Sequence, residues 1–282
     1  MSLGRSRFLA LALALLLGAC TVAPQPAPAH LPERGFTVVV PIYREAMLDL
    51  ALTTLKPYLR DEDRFLIVSG NMSGPVDTAW INRAALELRA AYPYARLYAA
   101  TSGLGNLERA AQEVGDLVEA VVYIYEPNFP NQPEFSWDFA KTRAHFSEAA
   151  ERVRAQGFRT VGKPTGRPLL QPSLTDYNWD YGVLATTVDE MLIQTQTYCA
   201  ESVSAFSEAI REISGQYGAR GQTRAWLPQV TIDPVAPNGT SVGQAQACLS
   251  AARAQGVEGT VLWWSPAFVE RMITFLRGLN IQ

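Results

Sequence analysis

Hydrophobic and polar positions along this chain follow two periods in alternation. Short β-branched and aromatic runs at 36–42, 64–69, 95–100, 120–125, 158–162, 190–196, 225–232 and 259–264 have the length and composition of strands. Between the early runs, apolar residues recur every three or four positions, as in Leu48, Leu52, Leu55, Leu59 and in Ile81, Ala85, Leu88, Tyr92. A third such stripe joins Leu104, Leu107, Ala111, Val114 and Val118. Later stripes are Phe139, Phe146, Ala150, Val153, then Val203, Phe206, Ile210, Ile213, then Val269, Ile273, Leu276. This spacing gathers apolar side chains on one face of a helix, which can then cover a sheet.

Successive strand starts lie about 32 residues apart, close to the ~31 expected when a domain of ~250 residues is divided among eight βα units. The pattern predicts an α/β fold, a (β/α)8 TIM barrel over 36–282. An open doubly wound sheet shows the same alternation and is the alternative. The fifth unit is irregular, because Pro164, Pro168 and Pro172 interrupt any helix there and leave only 179–187 for a short one.

Ahead of the barrel the pattern changes. Arg5 and Arg7 precede an apolar run at 8–17 and small residues before Cys20, which is the layout of a secretory signal and is too short to span a bilayer. Leu17, Gly18, Ala19 and Cys20 resemble the bacterial lipobox. That resemblance implies a signal peptide at 1–19, lipidation of Cys20 and anchorage at the cell envelope, facing out of the cytoplasm. It also implies more than one acyl chain, palmitate among them, which holds a protein stably where a single chain is marginal. An ordinary cleaved signal and an uncleaved anchor are the alternatives. Residues 20–35 carry Pro24, Pro26, Pro28 and Pro32 without apolar periodicity and read as an extended tether.

With 48% hydrophobic and 18% charged residues, the composition is that of a globular protein. The chain carries a net charge of −3, and losing Arg5 and Arg7 with the signal would leave −5, which argues against a nucleic-acid partner. A monomer is expected. Once Cys20 is lipidated, Cys199 and Cys248 remain, either paired in an oxidising compartment or left as two buried thiols on neighbouring helices.

A barrel of this kind works at the carboxyl ends of its strands, so candidate chemistry is read from the last residues of each run. Tyr43 ends the first, Asn71 follows the second, Tyr125, Glu126 and Asn128 end the fourth, and Lys163 ends the fifth. Gln194 and Gln196 share a face of the sixth by the period of two, with Tyr198 beyond; Gln229, Thr231 and Asp233 do so on the seventh, and Trp263 and Trp264 end the eighth. Glu126 and Asp233 each precede a proline that stops regular structure. A carboxylate so placed faces the mouth, or else serves as a loop acid, a partner of Arg44 or, for Asp233, a turn cap. Of the paired tryptophans, at least one is expected to be structural. Trp179 belongs to a site edge or to loop packing, and Glu190, which opens its strand, is expected to stabilise the barrel bottom.

Carboxylates ending strands four and seven resemble the acid/base and nucleophile positions of the large retaining glycoside-hydrolase clan built on this barrel. Two departures stand out: Tyr125 precedes Glu126 where the clan has asparagine, and Asp233 replaces its glutamate. The strand-four acid, Ile193-Gln194-Thr195-Gln196 and the strand-eight tryptophan are similar to those of uncharacterised secreted TIM barrels. The resemblance implies a surface-anchored glycosidase acting on envelope or extracellular polysaccharide, with Glu126 and Asp233 catalytic. Glycoside cleavage needs one acid for the leaving oxygen and one carboxylate as nucleophile or base. Tyr43, Asn71, Tyr125, Asn128, Lys163, Gln194, Gln196, Tyr198, Trp263 and Trp264 would then bind a carbohydrate by stacking and by hydrogen bonds to hydroxyls. A catalytically silent barrel binding glycans or envelope partners through the same mouth is the alternative.

Other chemistries lack their parts. His30 and His145 are the only histidines, so neither a Ser-His-Asp site nor a multi-histidine metal site can be assembled, and no cofactor or metal is expected. A Schiff-base enzyme would need a desolvated lysine, for which Lys163 is the candidate at the mouth, although a phosphate or carboxylate contact or a simple surface charge is the commoner use.

Overall fold

The structure is a computed structural model that describes residues 35–69, 74–127, 129–167 and 179–280. The signal, Cys20 and the tether lie outside the described residues. Eight parallel strands close a barrel in sequence order: β1 (Thr37–Ile42), β2 (Arg64–Val68), β3 (Arg96–Ser102), β4 (Ala120–Tyr125), β5 (Arg159–Pro164), β6 (Glu190–Ile193), β7 (Trp226–Thr231) and β8 (Gly259–Trp263). Closure is made by β8, which pairs with β1 from Thr37↔Gly259 to Val39↔Val261. The fold is therefore the (β/α)8 barrel, and the open sheet is excluded.

Outside the strands lie α1 (Glu45–Leu52), α2 (Thr78–Ala91), α3 (Leu104–Glu113), α4 (Phe139–Arg154), α5 (Tyr181–Leu184), α6 (Gln196–Glu201), α7 (Val203–Ala219), α8 (Val242–Arg253) and α9 (Val269–Asn280). Several begin where a short polar side chain caps them: Asp77, Asp138, Asp180, Ser202 and Ser241 each accept from a backbone N–H three residues on. Such caps are typically worth ~1 kcal/mol each. Among the described residues the irregular fifth unit has a single helical turn, α5, within the 179–187 stretch that its prolines leave free. Among the described residues, no helix is long and apolar enough to cross a membrane.

Alternation along the strands divides the core in two. Outward residues such as Val38, Val40, Ile67, Tyr123 and Tyr125 join the helix stripes in a large outer layer. Inward residues Val39, Leu66, Val68, Ala100, Val122, Val161, Leu192, Leu227 and Val261 fill the barrel. Below that apolar plug, at the strand starts, Glu190 forms an ion pair with Arg64, and Tyr98 Oη donates to Glu190 Oε2 at 3.1 Å. The bottom carboxylate is thus structural, as its place at the start of β6 predicts. Cys199 on α6 and Cys248 on α8 are joined by a disulfide across a separation of 49 residues. In the chain-entropy model a loop of that size stabilises by roughly 4 kcal/mol.

Candidate functional site

Above the apolar plug the inward positions turn polar. A cavity of about 240 Å³ opens among Glu126, Lys163, Gln194, Gln196, Gln229 and Trp263, and its rim is completed by Thr165, Arg167, Thr197, Thr231 and Ala236 to Asn238. Four of these residues are two positions beyond an apolar interior residue on or just past the same strand: Lys163 follows Val161, Gln194 follows Leu192, Gln229 follows Leu227 and Trp263 follows Val261. The period that packs the barrel also aims these side chains into the mouth.

Glu126 sits one residue past β4, and its backbone is clamped there. Gln132, buried at 3% exposure, accepts from Glu126 N at 3.0 Å and donates to Ile124 O at 2.8 Å, extending the strand by a side-chain bridge. Pro164 does not end β5 abruptly, because Thr165 still bridges to Gln194 and Gly166 N donates to Gln194 O at 3.1 Å. A Cβ on Gly166 would stand 2.3 Å from that carbonyl, so only glycine permits the approach. Lys163, on the same face as Thr165, is 3% exposed. Burial lowers its amine to about 8, while the charge of Glu126 works in the opposite direction. Among the described residues, Lys163 makes no hydrogen bond and no ion pair.

The amides of the floor are also incompletely engaged. Gln194 Nε2, Gln196 Oε1 and Gln229 Oε1 are buried with no hydrogen-bond partner among the described residues. An unmet buried polar group costs ~1–3 kcal/mol, and it is commonly tolerated where a ligand completes it. On the facing wall the Trp263 indole stacks on Tyr43 at 5.2 Å and 7° between planes, with the Arg44 guanidinium 5.0 Å over the Tyr43 ring.

Several sequence-predicted site residues face elsewhere. Tyr125 points out of the barrel, into Phe135, Phe146 and Trp179, and its hydroxyl accepts from Ser136 N at 2.7 Å. Parity decides this, since Ile124 and Glu126 hold the inward positions. Trp264 is inverted relative to Trp263 for the same reason: it is buried in the outer layer and donates from Nε1 to Pro41 O at 3.1 Å. Tyr198 is buried on α6 with its hydroxyl donating to Gly166 O at 2.9 Å, so it fixes the β5 exit and does not line the cavity. Gln196 opens α6 and is not part of β6, though it still reaches the mouth. Trp179 packs on Trp137 and donates to its carbonyl at 2.9 Å, which is loop packing. Arg44 lies over Tyr43 and does not pair with Glu126. Asn71 and Asn128 lie outside the described residues.

Asp233 takes the turn-capping role, the alternative to a carboxylate facing the mouth. Its Oδ1 accepts from Val235 N at 3.1 Å, starting a turn that returns through Gly239 to Thr240, whose N–H and hydroxyl both donate to Thr231 O. Gly239 is required there because a Cβ would meet Asp233 O at 1.9 Å. The turn carries Ala236, Pro237 and Asn238, the last at φ 66, to the cavity rim, while Asp233 itself does not line the cavity. Glu126 is the one carboxylate among the described lining residues.

The closed eight-stranded barrel with its polar mouth defines a TIM-barrel protein. No protein-family model matches the chain, and no curated protein sequence matches it. Among solved structures, it is similar to the PgaB (BpsB) glycoside hydrolase domain from Bordetella bronchiseptica, with TM-score 0.61 and 9% identity over 90% of this chain and 98% of that one. A family 18 chitinase from Crocus vernus gives 0.57 at 15% identity over 87% of this chain and 100% of its own. Dihydrodipicolinate synthase from Rhodopseudomonas palustris gives 0.53 at 10% identity, over 90% and 79%. At such identities the likeness is one of fold, and this fold hosts unrelated activities.

Proposed function

We propose that the chain is a lipid-anchored envelope protein whose barrel mouth binds a saccharide. The observation that carries this reading is the set of three glutamine amides with unmet buried atoms gathered beside a stacked indole. Saccharide hydroxyls both donate and accept, so they can satisfy the Gln194 donor and the Gln196 and Gln229 acceptors together. The apolar face of a pyranose matches the Trp263 ring. Solved neighbours that include glycoside hydrolases agree with such a ligand without requiring it. Anchorage rests on Leu17 to Cys20.

A second reading, cleavage of a glycosidic bond with Glu126 as general acid, is favoured by one observation, the Gln132 clamp that fixes Glu126 at the cavity. The two-carboxylate form of that mechanism would need Asp233 to leave its turn, so binding is the better supported function.

A panel of envelope and plant polysaccharides tests both. Trp263→Ala should weaken binding at least tenfold, about 1.4 kcal/mol, and Glu45→Gln on the outer surface should not. Turnover by the parent that falls ~10²- to 10⁴-fold in Glu126→Gln would establish the second reading. Absence of any saccharide binding would refute the proposal. For the anchor, Cys20→Ala should release the protein from membranes, and retention with an unchanged lipid mass would contradict it.

A further inference from the structure

The charges of the cavity do not match a neutral ligand. Lys163 and Arg167 line it against the single carboxylate of Glu126, leaving a formal surplus of one positive charge in a chain whose net charge is −3. Arg167 is exposed at the rim and can be hydrated there. Lys163 is 97% buried on the inward face of β5 between the ends of β4 and β6, where it lines the cavity. A lone ammonium taken out of water is strongly disfavoured unless a counter-charge meets it. At the other end of the barrel the fold supplies such a partner to the half-buried Arg64 through Glu190. Among the described residues no carboxylate forms an ion pair with Lys163, on which Glu126 acts through its charge alone, and Lys163 lines the cavity beside the glutamine amides.

Resting on the saccharide reading, we infer that the ligand is an acidic saccharide whose monoanionic group, a uronate carboxylate or a sulfate ester, is received by Lys163 at the cavity floor. One anionic charge neutralises the surplus. A dianion would leave a net negative site beside Glu126, so a phosphomonoester fits less well. Gln194 and Gln229 would hold the neighbouring hydroxyls, and Trp263 the ring. Arg167 at the rim would draw the anion in from solution, an effect of a locally positive mouth on an otherwise acidic protein.

Matched ligand pairs test this by titration calorimetry on the full-length protein in detergent. One arm compares oligouronates with their carboxyl-reduced neutral counterparts of the same length and linkage, and the other compares sulfated with desulfated oligosaccharides. The acidic member of at least one pair should bind about tenfold or more tightly, and the arm that shows it identifies the anion. In Lys163→Met the acid-to-neutral ratio should fall toward one, whatever happens to overall affinity, while Lys163→Arg should retain part of it. Arg167→Ala, which leaves the core untouched, should lower the ratio by a smaller factor and serves if Lys163→Met does not fold. Equal binding of both members by the parent would overturn the inference and leave the saccharide reading intact, as would a ratio unaffected by Lys163→Met. Absence of binding to every ligand would overturn both.

Discussion

Two charged side chains are buried inside the same barrel, one at each end, and their surroundings are opposite. Glu190 at the bottom is met by Arg64 and by the Tyr98 hydroxyl, with Arg159 3.9 Å away. Lys163 at the top has, among the described residues, no hydrogen bond or ion pair and is influenced by the charge of Glu126. Both are at most 3% exposed, so burial alone does not distinguish them. Completion does. A buried charge whose partners are built into the fold stabilises one arrangement of the chain, and one without partners is tolerated where something else can supply them.

The largest effect should come from breaking the completed end. Arg64→Met strips Glu190 of its main counter-charge and should lower unfolding free energy by ~3–5 kcal/mol, as read from denaturant titration. A loss below 1 kcal/mol would mean that the bottom pair contributes little and that the contrast is false.

Removing the incomplete charge should act in the opposite sense. Lys163→Met should raise stability at pH 7 by ~1–3 kcal/mol, because an amine held at about 8 in the fold and near 10.4 when unfolded opposes folding while protonated. The sign sets the pH profile. Between about 8 and 10.4 the unfolded chain binds more protons than the native one, so this contribution to stability rises with pH and is flat below that window. Glu126 faces Lys163 from the end of β4, β6 offers the neutral Gln194, and Arg167 shares the cavity. The rise should therefore be present in the parent and absent from Lys163→Met; matching profiles would show that Lys163 is not desolvated.

A smaller effect sharpens the comparison at the mouth. Asp233→Ala should cost ~1 kcal/mol, the usual scale for a lost side-chain cap on a backbone N–H. Asp233→Asn, which keeps an acceptor, should cost less. If Asp233→Asn instead abolished a measured turnover while stability held, Asp233 would be a reacting carboxylate after all.

Strand and helix positions were legible because strands and helices need different periodicities and both were written in the sequence, whereas closure, which an open sheet's alternation does not distinguish, is established by the pairing of β8 with β1. The direction of single side chains was less so. Tyr125 and Glu126 are adjacent, as are Trp263 and Trp264, and naming a strand end does not say which of two neighbours turns inward until the register of the strand below is fixed. Counting back from Val122 or Val261 would have settled both pairs. Thr165 was hidden behind Pro164, which reads as a stop but here still leaves one more bridged residue. Gln132 had no signal at all, for it reaches Glu126 from a loop whose path is a tertiary matter. Asp233 kept its predicted place but followed local turn chemistry.

The disulfide has a topological side. Cys199 and Cys248 enclose α7, β7 and the Asp233 turn in one covalent ring, so Gln229, Thr231 and Asn238 of the mouth all belong to a closed circle of chain. The exposed corner at Arg220 and Gly221 lies on that circle. A protease cutting there would open the ring without freeing either piece, and the part of the mouth carried by β7 would stay tethered to the barrel through the disulfide.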